Sequence, residues 1–479
     1  MRISVLSLCV FSLLAAPSFG RIVPLSSAPY ARRSQVVERE VEVELPGDVG
    51  RSPLHNRVTR HIRPFADEVP QLQRRDDVDN GAINRTDNPQ PIRGPKGATF
   101  LHESNKAIDR QNADYLSVPP TDNGVIPNLK WSFSLSKTRL LKGGWVREQV
   151  VTDLPTSTLV AAAEQRLAPY AYRELHWHRV AEWAFVLKGT VRITGNDEDD
   201  RNYVADVQEG DLWSFPQGVP HSLQAGPEGA EYLLVFDDGN FDASGTTFMV
   251  DDWIAHTPRD VLAANFGFQD ASAFNNVPAS DPYIVPATSW PSLDEAKQAV
   301  SSNPGGEVDT PYHYALSKKD PTPAPGGGGW TKITDYRDFP ASKTLASALV
   351  HVEPGALREL HWHKEAEWGY IVKGKGRATA FAGGATARTF DLQAGDTWVF
   401  PTNYGHYIQN VGDEPLEFLE IFRGAGFGSQ VRFNDFSLTQ WLALNPPEVA
   451  ARNLNVSIDT IKQLKKQKQT IVAGVNKSK

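Results

Sequence analysis

From Ala98 onward the chain runs in short stretches of alternating apolar and polar residues, and glycine, proline and asparagine interrupt them every few positions. Alternation with a period of two puts one apolar face on a core and one polar face in water, so these stretches predict β-strands. Their shortness and regular punctuation predict an all-β sandwich or barrel. Two stretches change to helical spacing, "WIAHTPRDVLAAN" from Trp253 and "WLALNPPEVAARN" from Trp441, and each predicts a short helical cap behind a β-unit. The basic run "IKQLKKQKQ", Ile461–Gln469, reads as the solvated face of the last helix.

The same pattern sets the boundaries. Residues 96–285 form the first expected domain and 330–479 the second, with its C-terminal helices. Between them 286–329 reads as a linker, because it ends in "DPTPAPGGGG", which is expected to continue neither strand nor helix. Residues 21–95 are charged and broken by proline, with dibasic pairs at Arg32-Arg33 and Arg74-Arg75, and read as a disordered or pro-like leader. Residues 1–20 have a basic start at Arg2, an apolar run and small residues at Ser18 and Gly20, the layout of a signal peptide, so secretion is expected. No later run reaches the roughly 20 apolar residues of a membrane span. Sequons at Asn84, Asn455 and Asn476 fit secretion. The single cysteine, Cys9, lies inside the expected signal, which excludes a disulfide framework and a cysteine nucleophile. A net charge of −8 gives no reason to expect nucleic acid as a partner.

An internal repeat organises the rest. "RELHWHRVAEW", Arg173–Trp183, returns as "RELHWHKEAEW", Arg358–Trp368, at an offset of 185 residues. The same offset relates "EGDLWSFP" to "AGDTWVFP" and His221 to His406, so the two halves are read as two copies of one fold.

In a strand the residues i and i+2 share a face, so His176 and His178 point together. Glu182 can return to the same cavity ahead of the strand "WAFVLKG", which is expected to end in a turn at Gly189, and His221 follows a proline-bounded turn. Three imidazoles and a carboxylate thus converge, and His361, His363, Glu367 and His406 repeat the set. The absence of sulfur disfavours Cu(I) and iron–sulfur clusters, and a structural zinc site usually contains cysteine. A six-coordinate manganese or iron ion would keep two positions for substrate or oxygen, and zinc also fits the ligand types.

The pattern H-x-H-x3-E-x6-G, followed by G-D-x3-F-P and a late histidine, resembles the cupin signature, present twice. Wider matches, "IPNLKWSF" at Ile126–Phe133, "ELHWH" in both copies and "NVGDEPLEFLEIF" at Asn410–Phe422, resemble the bicupin oxalate decarboxylases from about Gly94 onward. The resemblance implies two tandem cupin jelly-roll barrels, one Mn2+ in each, and oxalate as substrate. It implies a redox-neutral conversion to carbon dioxide and formate that requires dioxygen without consuming it, and a possible homo-oligomer, a hexamer. Arg173 and Arg358 would contact the substrate carboxylate. Strict alternation would put each arginine opposite its histidines, so a local irregularity is expected.

Glu420 stands at the 185 offset from Val235, and in "FLEIF" its burial should raise its pKa. The lid that carries serine-glutamate-asparagine-serine in the family is here "NFDASGTTF", Asn240–Phe248, one residue longer and with Asp242 as its only carboxylate. Loss of the lid glutamate that handles the formate proton makes oxalate oxidase, yielding carbon dioxide and hydrogen peroxide, the alternative outcome. A non-enzymatic storage-like bicupin is disfavoured because such proteins commonly lose ligands and all eight are present.

Overall fold

The computed structural model describes Ala98 and residues 100–474, except 243–244, 279–281, 425 and 427–433. The expected signal peptide, the leader with its dibasic pairs, and the sequons at Asn84 and Asn476 lie outside the described residues.

The alternating runs form strands, and their pairing builds one two-layer barrel twice. In the second barrel one layer orders Lys130–Ser132, Asp396–Phe400, Glu367–Lys373, Leu416–Arg423, Leu345–Val352, Gly329–Thr334 and Thr322–Pro323. The facing layer orders Thr386–Gln393, Lys375–Ala382, Gly405–Asn410, Leu357–His363 and Asp435–Ser437. The first barrel repeats this layout, but Glu182–Asn196 and His221–Phe236 pass unbroken through both layers, so its strands join into one 11-stranded sheet. The turn expected at Gly189 is therefore absent. At φ +81° Gly189 instead bends a continuous strand beside a register shift, and a Cβ there would stand 2.2 Å from the Gly229 carbonyl oxygen.

Two short edge strands are exchanged between the barrels. Lys130–Ser132, which precedes the first barrel, pairs with Asp396–Trp398 of the second, where Ile126 and Leu129 join the core. His313–Tyr314, which precedes the second barrel, pairs with Leu212–Trp213 of the first. Each pairing covers an edge that would otherwise expose unpaired backbone groups. The 286–329 segment is thus more than the expected linker: it also holds the helix Leu293–Ala299, started by a Ser292–Glu295 capping box. "DPTPAPGGGG" itself contains Thr322–Pro323, paired with Thr331 and Trp330 at a sheet edge, where proline costs no ladder hydrogen bond.

The barrels meet through the outer faces of their layers. Trp368 Nε1 donates to Gln149 Oε1 at 2.9 Å and the Tyr370 hydroxyl to Glu164 Oε1 at 2.7 Å. The apolar core of the first barrel continues across this contact to Leu345, Val399, Leu419 and Ile421. The expected caps are present as Val250–Ala255 and Arg259–Phe266, and as Leu438–Leu444, Pro447–Leu454 and Ile458–Lys462. Beyond Lys462 the basic run leaves the helix. Lys468 is not on a solvated helical face but bonds the buried Asp435 side chain, a correction to the reading of that tail. No helix among the described residues is long and apolar enough to cross a membrane.

Candidate metal centres

The motif strand of each barrel starts from the expected alternation and then departs from it once. In Tyr172–His178, Arg173 pairs with Leu223 and His176 with His221, so three steps on one strand face two on the other. The extra residue is a β-bulge, and it turns Arg173 onto the face that His176 and His178 share. The same shift separates Arg358 from His361. This is the irregularity that alternation requires.

His176, His178, Glu182 and His221 are all buried, and their ligand atoms lie within 4.8 Å of one another, as do those of His361, His363, Glu367 and His406. Glu182 opens the strand after the motif and His221 opens its partner, so both arrive at the same end of the barrel. Glu182 Oε2 lies 3.1 Å from His178 Nε2 and 3.5 Å from His221 Nε2; Glu367 Oε2 lies 3.0 Å from His363 Nε2 and 3.3 Å from His406 Nε2.

The surroundings fix which nitrogen faces the cluster. His176 Nδ1 donates to the Glu174 carbonyl at 2.6 Å and His221 Nδ1 to the Val219 carbonyl at 2.8 Å, leaving each Nε2 for the centre. His361 and His406 repeat this with the Glu359 and Tyr404 carbonyls. Two indoles, Trp213 and Trp398, had no role in the sequence reading beyond their repeated motif. Trp213 Nε1 donates to Glu182 Oε1 at 2.8 Å and Trp398 Nε1 to Glu367 Oε1 at 2.9 Å, so one oxygen of each carboxylate is tied and the other faces the histidines.

Charge states match ligation. Burial pushes His176 far below the ordinary imidazole range, with Arg173 and the neighbouring imidazoles adding to the effect, and His178 falls to about 4 for the same leading cause. Burial alone would raise Glu182, but His221 and His178 overcome it and hold the carboxyl well below its ordinary value. Neutral imidazoles beside an ionised carboxylate are what a divalent ion requires. Buried His221 Nε2 and His361 Nε2 have no hydrogen-bond partner among the described residues, which an ion at the centre of each cluster would satisfy. Nitrogen and oxygen donors without sulfur suit a divalent ion such as manganese, iron or zinc.

The two centres differ around their arginines. Arg173 is 2% exposed, stacks its guanidinium 3.6 Å from the Tyr283 ring centroid, and donates to the Tyr283 carbonyl and to Glu174 Oε1, both at 3.3 Å. Glu174 also accepts from the Tyr283 N–H at 2.9 Å, so its charge is shared. Arg358 is fully buried and held by two carboxylates, Glu420 Oε1 at 3.1 Å and Asp435 Oδ2 at 2.6 Å. Thr247 occupies the place of Asp435 in the first barrel, since Thr247 pairs with His178 as Asp435 pairs with His363.

Glu420 is 0% exposed, and burial first, opposed by Arg358, pushes its carboxyl up to about 8. Its counterpart is Leu234, not Val235. Ala163 and Ala184 pair with Leu234 as Ala348 and Gly369 pair with Glu420. The 185 offset fails here because the connection after Asn410 is one residue longer than the bent stretch of strand after Ala225.

Over the first centre, Phe241 of the lid stacks on Phe236 and lies 5.4 Å from the His178 ring. Buried Thr246 ties back to the Phe241 carbonyl through its hydroxyl. Asp242 is exposed beside this anchor.

A cupin family model matches residues 134–273 and 314–462. Oxalate decarboxylase OxdC of Bacillus subtilis is 48% identical over 389 residues, 81% of this chain and 98% of its own. A probable oxalate decarboxylase of Arthroderma benhamiae is 46% identical over 389 residues, 80% and 93%. A solved structure of the Bacillus subtilis enzyme, from work on its Mn(II) centres, superposes with TM-score 0.74 at 47% identity, covering 81% of this chain and all of the other. The chain belongs to the bicupin oxalate decarboxylase family.

Proposed function

We propose that this chain is a secreted, manganese-dependent oxalate decarboxylase that converts oxalate to carbon dioxide and formate in its first barrel, with dioxygen required but not consumed. The observation that carries the choice of barrel is the contrast between the arginines. Arg173 sits on the ligand face beside one carboxylate that it shares with the Tyr283 N–H, whereas Arg358 is held by two carboxyl groups. A small dianion needs a charge-assisted donor, and the first barrel offers one held by a single shared carboxylate rather than clamped between two carboxyl groups.

His176, His178, Glu182 and His221 would hold the ion. A bound manganese ion would supply an electron-withdrawing centre for a coordinated oxalate oxygen. Arg173 binds and orients the far carboxylate and offsets its charge. Phe241 and Phe236 shield the centre from water, and a carboxyl group near the cavity returns a proton to the retained carbon. Secretion rests on the signal-like residues 1–20 and the sequons at Asn84, Asn455 and Asn476.

The lid favours one second reading. With Asp242 as its only carboxylate, the segment 240–248 lacks the family's glutamate, and a missing proton donor would favour oxidation to carbon dioxide with hydrogen peroxide. Formate and peroxide measured side by side on purified, manganese-loaded protein separate the two. The decarboxylase reading expects one formate per oxalate, and stoichiometric peroxide with little formate overturns it.

A further inference from the structure

The row of side chains that ends on Trp213 carries a carboxylate that the metal centre does not use. Across the sheet Trp213 stands opposite Ala184, Ala184 opposite Leu234, Leu234 opposite Ala163, and Ala163 opposite Glu148. Side chains along such a row leave the same face of the sheet, and Trp213 points inward to Glu182. Glu148 therefore points into the first barrel. Its chain neighbours agree, since Arg147 reaches Glu164 at the barrel–barrel contact and Gln149 receives the Trp368 N–H from the second barrel.

The matching row of the second barrel reads Trp398, Gly369, Glu420, Ala348 and Ile333. Each row holds one inward carboxylate, but on different strands. The second barrel has it at Glu420, where the first has Leu234; the first has it at Glu148, where the second has Ile333. Glu420 clamps Arg358. The Glu148 carboxylate makes no hydrogen bond or ion pair with the described residues, and its charged neighbours are Asp242 of the lid, Asp153, Arg139 and Arg173. Burial first, then Asp242, raise the Glu148 pKa, while Arg139 and Arg173 oppose the rise.

We propose that Glu148 is a further catalytic residue of the first barrel, the carboxyl group that protonates the carbon left behind when the substrate loses carbon dioxide. The proposal rests on the oxalate reading above. The oxalate carbon–carbon bond breaks with its electron pair kept on the retained carbon, and the other carbon leaves as carbon dioxide. The Glu148 O–H bond breaks as the formate C–H bond forms, and solvent returns the proton to Glu148. Oxalate dianion and one proton give carbon dioxide and formate, with no net oxidant or reductant. This supplies the proton source that the lid lacks.

Full-length, manganese-loaded Glu148→Gln, Glu148→Asp and Asp242→Asn proteins test the proposal against wild type, with formate, peroxide, oxalate KM and bound manganese all measured. Glu148→Gln is expected to lower kcat for formate by about 10²–10⁴-fold, with KM and manganese content near wild type. An Glu148→Gln protein whose formate kcat stays within about threefold of wild type, or whose loss lies entirely in KM, overturns it. So does a large loss in Asp242→Asn alone, which would assign the proton to the lid. If Glu148→Gln does not fold, Glu148→Asp decides: a shortened carboxyl should cost about tenfold or more in kcat, and an unchanged kcat refutes the role. Wild-type protein that makes no formate refutes the decarboxylase reading on which the proposal rests, a result distinct from any change at Glu148.

Discussion

Truncating the two equivalent arginines to alanine should produce opposite phenotypes. Arg173 contacts a carbonyl, an aromatic ring, the weakly accepting Met249 sulfur and one shared carboxylate at 3.3 Å, so its guanidinium can give two hydrogen bonds to a substrate carboxylate by releasing the sulfur. Charge-assisted bonds contribute about 1.5–3 kcal/mol each, so Arg173→Ala should lose about 3–6 kcal/mol of transition-state stabilisation, or about 10²–10⁴-fold in kcat/KM. Arg358→Ala instead leaves the ionised Asp435 buried without this cation and Glu420, whose carboxyl is pushed up to about 8, without its hydrogen-bond donor. Breaking a buried pair this way costs about 3–5 kcal/mol of stability, toward the lower end here because Lys468 still pairs with Asp435. For a domain of this size that lowers Tm by roughly 6–20 °C. Formate kinetics and calorimetry on both variants read the two effects separately. Arg173→Ala with kcat/KM within about threefold of wild type would refute the substrate role, and an unchanged Tm in Arg358→Ala would refute the ion-pair account.

Trp213→Phe keeps the aromatic volume but frees Glu182 Oε1, so manganese affinity of the first site should fall about 10–100-fold in chelator competition while the fold persists. Glu420 has a folded pKa raised to about 8, so its contribution to stability is fully present below the ordinary glutamate value of 4.5 and is lost as pH rises through about 8. The Tm of Glu420→Gln relative to wild type should therefore rise across that window, and a flat difference would show that the carboxyl titrates normally. Stripping metal with a chelator should lower Tm, and added Mn2+ should restore it, because an ion that binds only the folded cradles stabilises by mass action, about 4 kcal/mol at a thousandfold excess over Kd.

The ligands were legible in sequence because strand alternation places His176 with His178, and an offset conserved over three motifs demands a common geometry for Glu182 and His221. The position of Arg173 was only half legible. Alternation put it on the wrong face, and the bulge that corrects it is a register feature visible only once the partner strand is known. The exchanged edge strands escaped for a related reason: Lys130–Ser132 and His313–Tyr314 are too short for periodicity to detect, and their partners lie far away in sequence. Glu420 was recognised as a buried carboxylate but matched to Val235, because a single extra residue in a connection shifts every later pairing. Trp213 and Trp398 were written in both copies of the motif, yet nothing in an indole's identity announces that its N–H will hold a metal ligand. Glu148 gave less signal still, since its inward direction follows from four successive strand pairings.

The division of labour between the barrels is the central claim, and formate turnover by metal-counted Glu182→Gln and Glu367→Gln proteins tests it most directly. Each variant disables one cradle and leaves the other intact. Glu182→Gln should retain about one manganese per chain and make no formate, whereas Glu367→Gln should retain about one and keep turnover within roughly tenfold of wild type. Formate production by Glu182→Gln with its second site filled would contradict that claim.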